Sequence, residues 1–112
     1  MRNYIYAVAA LMSYSSVASA VDMPELAKKK NCAECHAIEK KLAGPAWLDV
    51  AKHYKGNNEA SFFLPNKIKQ GGFGVWGALS MPAQAVSDEE AKTLAKFILG
   101  LSSESKSVVS GR

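Results

Sequence analysis

The sequence predicts an all-α fold built as one small domain. Apolar residues recur at helical spacing in three segments, capping signals precede two of the predicted helices, and no segment alternates apolar and polar residues as a half-buried strand does. At 112 residues, 48% of them hydrophobic, the chain suffices for a single domain. A domain this short buries little apolar surface for its length and often leans on a disulfide, a metal or a cofactor.

Residues 1–20 read as an export signal. Arg2 precedes a short apolar run, Ile5 to Met12, and the small, polar stretch that follows ends in Ala18-Ser19-Ala20, an A-x-A cleavage site. The run is far below the ~20 residues a membrane-spanning helix needs. Cleavage after Ala20 is expected to leave residues 21–112 in an oxidising, exported compartment, the periplasm. The formal net charge of +4 loses one unit with Arg2. That excess is too mild to imply nucleic acid, and no basic stripe interleaved with aromatics supports such a partner.

The first helix is expected from Asp22-Met23-Pro24-Glu25, with Asp22 as cap, Glu25 closing a capping box, and Lys28 to Lys30 at the negative helix end. After Gly44-Pro45, Trp47, Val50, Ala51 and Tyr54 form one apolar stripe, stopped by Gly56. The next helix runs to about Gln70 and is expected to kink at Pro65 or to begin close to it, because proline cannot donate an interior bond. In the last helix Ser87-Asp88-Glu89-Glu90 is a capping box, Ala91, Leu94, Ala95 and Ile98 mark the buried face, and Gly100 is expected as the C-cap. Trp47, Tyr54, Phe62, Phe63 and Phe97 are expected to pack in the core or against a cofactor. The domain should span residues 21–101, with the serine-rich residues 102–112 as a flexible tail.

Between the last two helices lies the glycine-rich stretch Gln70 to Val86. So long a loop in so small a domain is usually functional. It contains Met81, which with Met23 is all the methionine left once the signal is removed.

Both cysteines lie in N-C-A-E-C-H-A-I, Asn31 to Ile38. A zinc site would need a second ligand pair, and only His53 remains, alone on a helix and expected to be solvated. A redox dithiol would expect a βαβ context that is missing, and a disulfide between Cys32 and Cys35 would constrain almost nothing. C-x-x-C-H is the attachment signature of c-type haem. Two thiols at this spacing meet the two vinyl groups on one porphyrin edge, and His36 is placed under the iron. One covalent haem would also supply the apolar plate that so small a core lacks.

From Asp22 to about Leu101 the chain resembles the small bacterial class I cytochromes c of the cytochrome c-551/c-552 family. The resemblance rests on C-A-E-C-H-A-I-x-K-K (Cys32 to Lys41), L-A-G-P-A-W (Leu42 to Trp47), I-K-Q-G-G-F-G-V-W-G (Ile68 to Gly77) and M-P-A-Q-A-V-S-D-E-E-A (Met81 to Ala91). It implies the small cytochrome c fold, three to four short helices around one haem. Cys32 and Cys35 would carry the haem, and His36 and Met81 would be the axial ligands. The Pro45 carbonyl would accept from His36, Trp76 would hydrogen-bond a propionate, and Lys67 would sit near the propionates. Gln84 stands where the family often has an asparagine bonded to the methionine sulfur. The rim of the thioether edge would be Ala33, Leu42, Ala78, Leu79, Pro82 and Ala83, with Lys28, Lys30 and Lys41 around it.

His/Met ligation fills both axial positions and raises the potential of the iron. The expected function is therefore outer-sphere, one-electron transfer by a monomeric, non-enzymatic carrier that does not span the membrane. The resemblance suggests a quinol-oxidising cytochrome complex as donor and a nitrite reductase, terminal oxidase or peroxidase as acceptor. The competing functions are a haem enzyme or gas sensor with an open sixth position, and a subunit of a larger oxidoreductase.

Overall fold

The computed structural model describes residues 21–110, so the expected signal and cleavage site at 1–20 lie outside the described residues. The order is α1 (Glu25–Lys29), a 3-10 turn (Cys32–Glu34), α2 (Trp47–His53), α3 (Ala60–Gln70) and α4 (Asp88–Ser110). All regular secondary structure among the described residues is helical, apart from one isolated bridge, Gly72 to Met81.

α4 is the organising element, because α1, α2 and α3 all pack on it. Its Ala91, Leu94, Ala95, Ile98 and Leu101 are buried. They meet Val50 and Ala51 from α2, Ala60, Leu64 and Ile68 from α3, and Ala27 from α1 in one cluster. Trp47 is buried at the start of α2 and meets Phe97 edge-on, with ring centroids 5.9 Å apart.

The start of α4 is the capping box its sequence predicts. The Glu90 N–H donates to the Ser87 hydroxyl at 3.1 Å, and the Ser87 N–H donates to a Glu90 carboxylate oxygen at 2.9 Å. Two donors that the helix itself leaves unpaired are thereby satisfied.

Four expectations are corrected. Asp22 does not cap α1: the cap position is Pro24, in extended conformation and with no side-chain cap bond. Pro24 has no N–H for a glutamate to bond, and Glu25 pairs with Lys28 at 3.4 Å instead. Helix α3 begins at Ala60 rather than close to Pro65, which lies inside it. Its first turn is held by Asn57, whose side chain accepts from the Glu59 N–H at 3.0 Å and whose carbonyl accepts from the Ala60 N–H at 3.2 Å. Burial of Ala60, Leu64 and Ile68 at intervals of four carries the helix through the proline.

Phe62 is 80% exposed rather than packed, because it points away from that stripe. Gly100 does not end α4, whose backbone continues as helix through Ser110 into the stretch expected as irregular tail. A mid-helix glycine costs only about 1 kcal/mol, and the next residue, Leu101, is fully buried.

Ser87→Ala should lower stability by about 1 kcal/mol, the usual cost of a lost serine cap, measured by denaturant titration. The Ser87 backbone N–H, then Lys30, holds the Glu90 carboxyl below its ordinary range, against a smaller opposing effect of burial. A carboxyl lowered in the folded state stabilises fully above its unfolded value, about pH 4. That stabilisation is lost as pH falls through the lower folded value. Glu90→Gln should therefore flatten the acid limb of the stability–pH curve below about pH 4 and leave the slope at neutral pH unchanged.

Candidate functional site

The first half of the site follows from how α1 ends. Asn31 takes the left-handed conformation at φ 65°, tolerable for asparagine, and turns the chain into the 3-10 turn that begins at Cys32. The Cys32 carbonyl accepts from the Cys35 N–H at 3.1 Å and from the His36 N–H at 2.8 Å. Cys32 is thus buried, Cys35 stays exposed, and His36 comes directly after the turn.

Four backbone bonds fold the following loop back on itself. The Gly44 N–H donates to the Cys35 carbonyl at 2.7 Å and Leu42 N–H to the Gly44 carbonyl at 3.1 Å, while Trp47 and Leu48 donate to Ala37 and Ile38, each at 3.0 Å. The loop brings the Pro45 carbonyl 2.8 Å from His36 Nδ1. Nδ1 carries the proton toward that carbonyl, so the lone pair is on Nε2. A Cβ on Gly44 would lie 2.4 Å from the ring's Cε1, so only glycine lets the backbone lie this close. The Trp47 ring, 5.8 Å away, backs the imidazole.

The second half is the loop between α3 and α4. Gly72 and Met81 exchange two backbone bonds, Gly72 N–H to Met81 carbonyl at 3.1 Å and Met81 N–H to Gly72 carbonyl at 2.8 Å. Gly71 makes the bridge possible. Its φ of 77° suits glycine, and a Cβ there would sit 2.2 Å from the Met81 carbonyl oxygen.

The two halves share one cavity, lined among others by Cys32, Cys35, His36, Pro45, Lys67, Trp76, Met81 and Gln84. All eight sequence-predicted site residues are therefore brought together. Val50, Leu64, Ile68, Leu94 and Ile98 line the cavity as well as the helix core. Among the described residues, Lys41 and Lys67 are its only charged lining.

Two positions show detail that the sequence left open. The Gln84 amide donates to the Pro82 carbonyl at 2.8 Å rather than to the Met81 sulfur, because a longer side chain can curl back on its own loop. His53 is exposed, yet its ring lies 4.9 Å from Trp76 and 4.7 Å from Tyr54. Nothing local in the sequence signals that contact, because α3 separates the two residues along the chain. Sequence reasoning also misses Gly44 as a site residue and reads Gly71 only as part of a glycine-rich loop. Their role depends on a ring and a carbonyl placed by other segments.

The fit to a haem can be judged on these features. Burial pushes the Cys32 thiol above its ordinary value, only partly offset by a backbone hydrogen bond. A redox dithiol needs the opposite shift, toward the thiolate. No group of three or more His, Cys, Asp or Glu side chains that could hold a metal ion occurs among the described residues. An apolar cavity with two thiols, one oriented imidazole, one thioether and only cationic charge on its walls suits a flat, apolar group bearing carboxylates.

Comparison with known proteins agrees. The family model described as Cytochrome c matches residues 22–102. The chain belongs to the cytochrome c family. It is 52% identical over 77 residues to cytochrome c-552 of Hydrogenobacter thermophilus, covering 69% of this chain and 79% of that relative. It is 45% identical over 98 residues to cytochrome c-551 of Pseudomonas aeruginosa, covering 84% of this chain and 94% of the relative. The crystal structure of Nitrosomonas europaea cytochrome c552 superposes with a TM-score of 0.66 at 49% identity, covering 68% of this chain and 95% of that one. Within the cytochromes c this places the chain in the class I c-551/c-552 group, and a c-type haem with its iron is its covalently attached cofactor.

Gly71→Ala should destabilise the holoprotein by about 1–3 kcal/mol. Gly74 is also at positive φ, but a Cβ there would meet nothing within 4 Å, so the same change should cost less. Chemical denaturation of the two variants side by side separates the clash with the Met81 carbonyl from the cost of the backbone angle alone.

Proposed function

We propose that the chain is a periplasmic one-electron carrier whose iron is held by His36 and Met81 and whose haem is attached at Cys32 and Cys35. The observation that carries this reading is the His36 Nδ1 to Pro45 carbonyl bond at 2.8 Å, which leaves Nε2 as the donor beside a cavity that Met81 also lines. The haem supplies Fe(III)/Fe(II) cycling. The chain's own residues orient the imidazole, present the thioether and exclude water. If His36 and Met81 both hold the iron, no coordination site would remain for O₂ or peroxide, which favours a carrier over an enzyme or gas sensor.

The other roles follow the same geometry. Lys67 lines the cavity with a positive charge near Gly72, suited to a propionate. The Trp76 indole N–H is suited to a propionate oxygen, with the His53 ring packed against it. Gln84, committed to Pro82, shapes the Met81 turn. No described helix is long and apolar enough to cross a membrane, and the carrier acts as a monomer. Its donor would be a quinol-oxidising cytochrome complex and its acceptor a nitrite reductase, a terminal oxidase or a peroxidase.

Expression in a host competent for c-type maturation tests the reading. Acid-acetone treatment should leave haem on the polypeptide, and the ferric protein should show the weak methionine–iron charge-transfer band at the red end of the visible spectrum. Met81→Ala should abolish that band, lower the potential and let carbon monoxide bind the ferrous form. His53→Ala should change neither band nor ligation. A Met81→Ala protein that keeps the band would remove Met81 from the iron.

Electron exchange should take place at the thioether edge, where Leu79 is 72% exposed and Ala33, Leu42, Ala78, Pro82 and Ala83 are also exposed. A small apolar rim suits an encounter that must separate quickly. Lys41, exposed and on the cavity wall, would steer an acidic partner, which affects association rate more than lifetime. Stopped-flow exchange with an acidic redox partner should be slowed by Lys41→Glu at low salt. The difference should fade as the Debye length shrinks toward ~8–10 Å, whereas Ala83→Glu should keep part of its effect. Unchanged rates in both variants would move the docking face elsewhere.

A further inference from the structure

Residues 71–87 leave α3, present Met81 and return to α4, and their neck is tied in three places. Gly72 and Met81 form the backbone bridge, and the Gln84 N–H donates to the Ile68 carbonyl at 3.2 Å. The third tie is made by side chains. Lys69, in the last turn of α3, hydrogen-bonds and ion-pairs with Asp88, the first residue of α4. Among the described residues it is the only ion pair joining α3 to α4.

Each partner sits where its own helix favours it, the lysine at a C-terminus and the aspartate at an N-terminus. Lys69 adjoins Ile68, which accepts the Gln84 bond, and Asp88 adjoins the Ser87 cap. Movement of Met81 away from the cavity would strain the backbone ties, and any parting of the two helix ends would strain the pair. The pair lies across that gap. Lys69 also holds the Asp88 carboxyl below its usual range, first by hydrogen bonding and then by its charge.

We propose that Lys69 and Asp88 form a clasp on the neck of this loop that restrains Met81 from leaving its place, so that both act as positioning residues for the methionine ligand. The inference rests on Met81 being that ligand. Because the pair is exposed, its effect is modest and screened by salt.

The test uses the ferric holoprotein with imidazole as a competing ligand, read by loss of the methionine–iron band. Absence of that band from the wild type would overturn the ligand reading and the clasp with it. With the band present, Lys69→Gln and Asp88→Asn should each raise imidazole affinity roughly two- to five-fold at low ionic strength. The double variant should go no further than the larger single, and Lys69→Arg should match wild type. Added salt should bring wild type up to the level of the variants. A pair that merely stiffens the fold would lower the denaturant midpoint and leave imidazole affinity unchanged. That result, or additive single effects, would overturn the clasp while leaving Met81 on the iron.

Discussion

The carbonyl of Pro45 decides what the His36 imidazole can do. A neutral imidazole has one N–H and one lone pair, and whichever nitrogen holds the proton cannot bind a metal. By accepting from Nδ1 at 2.8 Å, Pro45 fixes both the tautomer and the plane of the ring. Everything between His36 and α2 serves that placement. Gly44 gives up its side chain so that the loop can press on the ring, and Trp47 and Leu48 donate back to Ala37 and Ile38 before α2 begins. Four backbone bonds tie the loop to itself and to residues 35–38, which holds the imidazole in place.

The Met81 side is built differently. Methionine is flexible and has no second donor to anchor, so its backbone must be fixed instead. The two bonds to Gly72 do this, and Gly71 supplies a φ that brings the strands of the loop close enough. His36 is held through its side chain and Met81 through its main chain. The difference follows from the chemistry of imidazole and thioether.

What the sequence made legible was local. Cys32, Cys35 and His36 lie within one turn, so spacing alone states their geometry. Ser87 and Glu90 satisfy each other three residues apart, and the buried stripe of α4 repeats at helical intervals. Where a neighbour from elsewhere decided the outcome, local signals failed. Pro65 reads as a breaker until the burial of Ala60, Leu64 and Ile68 is weighed against it. Phe62 reads as core until that stripe fixes which way α3 faces. Gly100 reads as a stop, but Leu101 packs fully and the helix continues. Within the site, the set of residues that share the cavity could be read from motif and resemblance. The roles of Gly44, Gly71 and His53 depend on contacts that no local pattern encodes.

The core and the site are made of the same residues. Leu64, Ile68, Leu94 and Ile98 pack helix against helix while also lining the cavity, so their apolar surface is fully used only when the cavity holds an apolar group. Burial of that surface is worth about 25 cal/mol per Å², a large share of the total for a domain this small. A reversibly bound group would contribute this only while its concentration exceeded its dissociation constant. Attachment through Cys32 and Cys35 removes that dependence, since a tethered group is never diluted away. The covalent bonds therefore do more than position a redox centre: they make the cofactor a permanent part of the hydrophobic core, which the short helices of this chain are too few to complete alone.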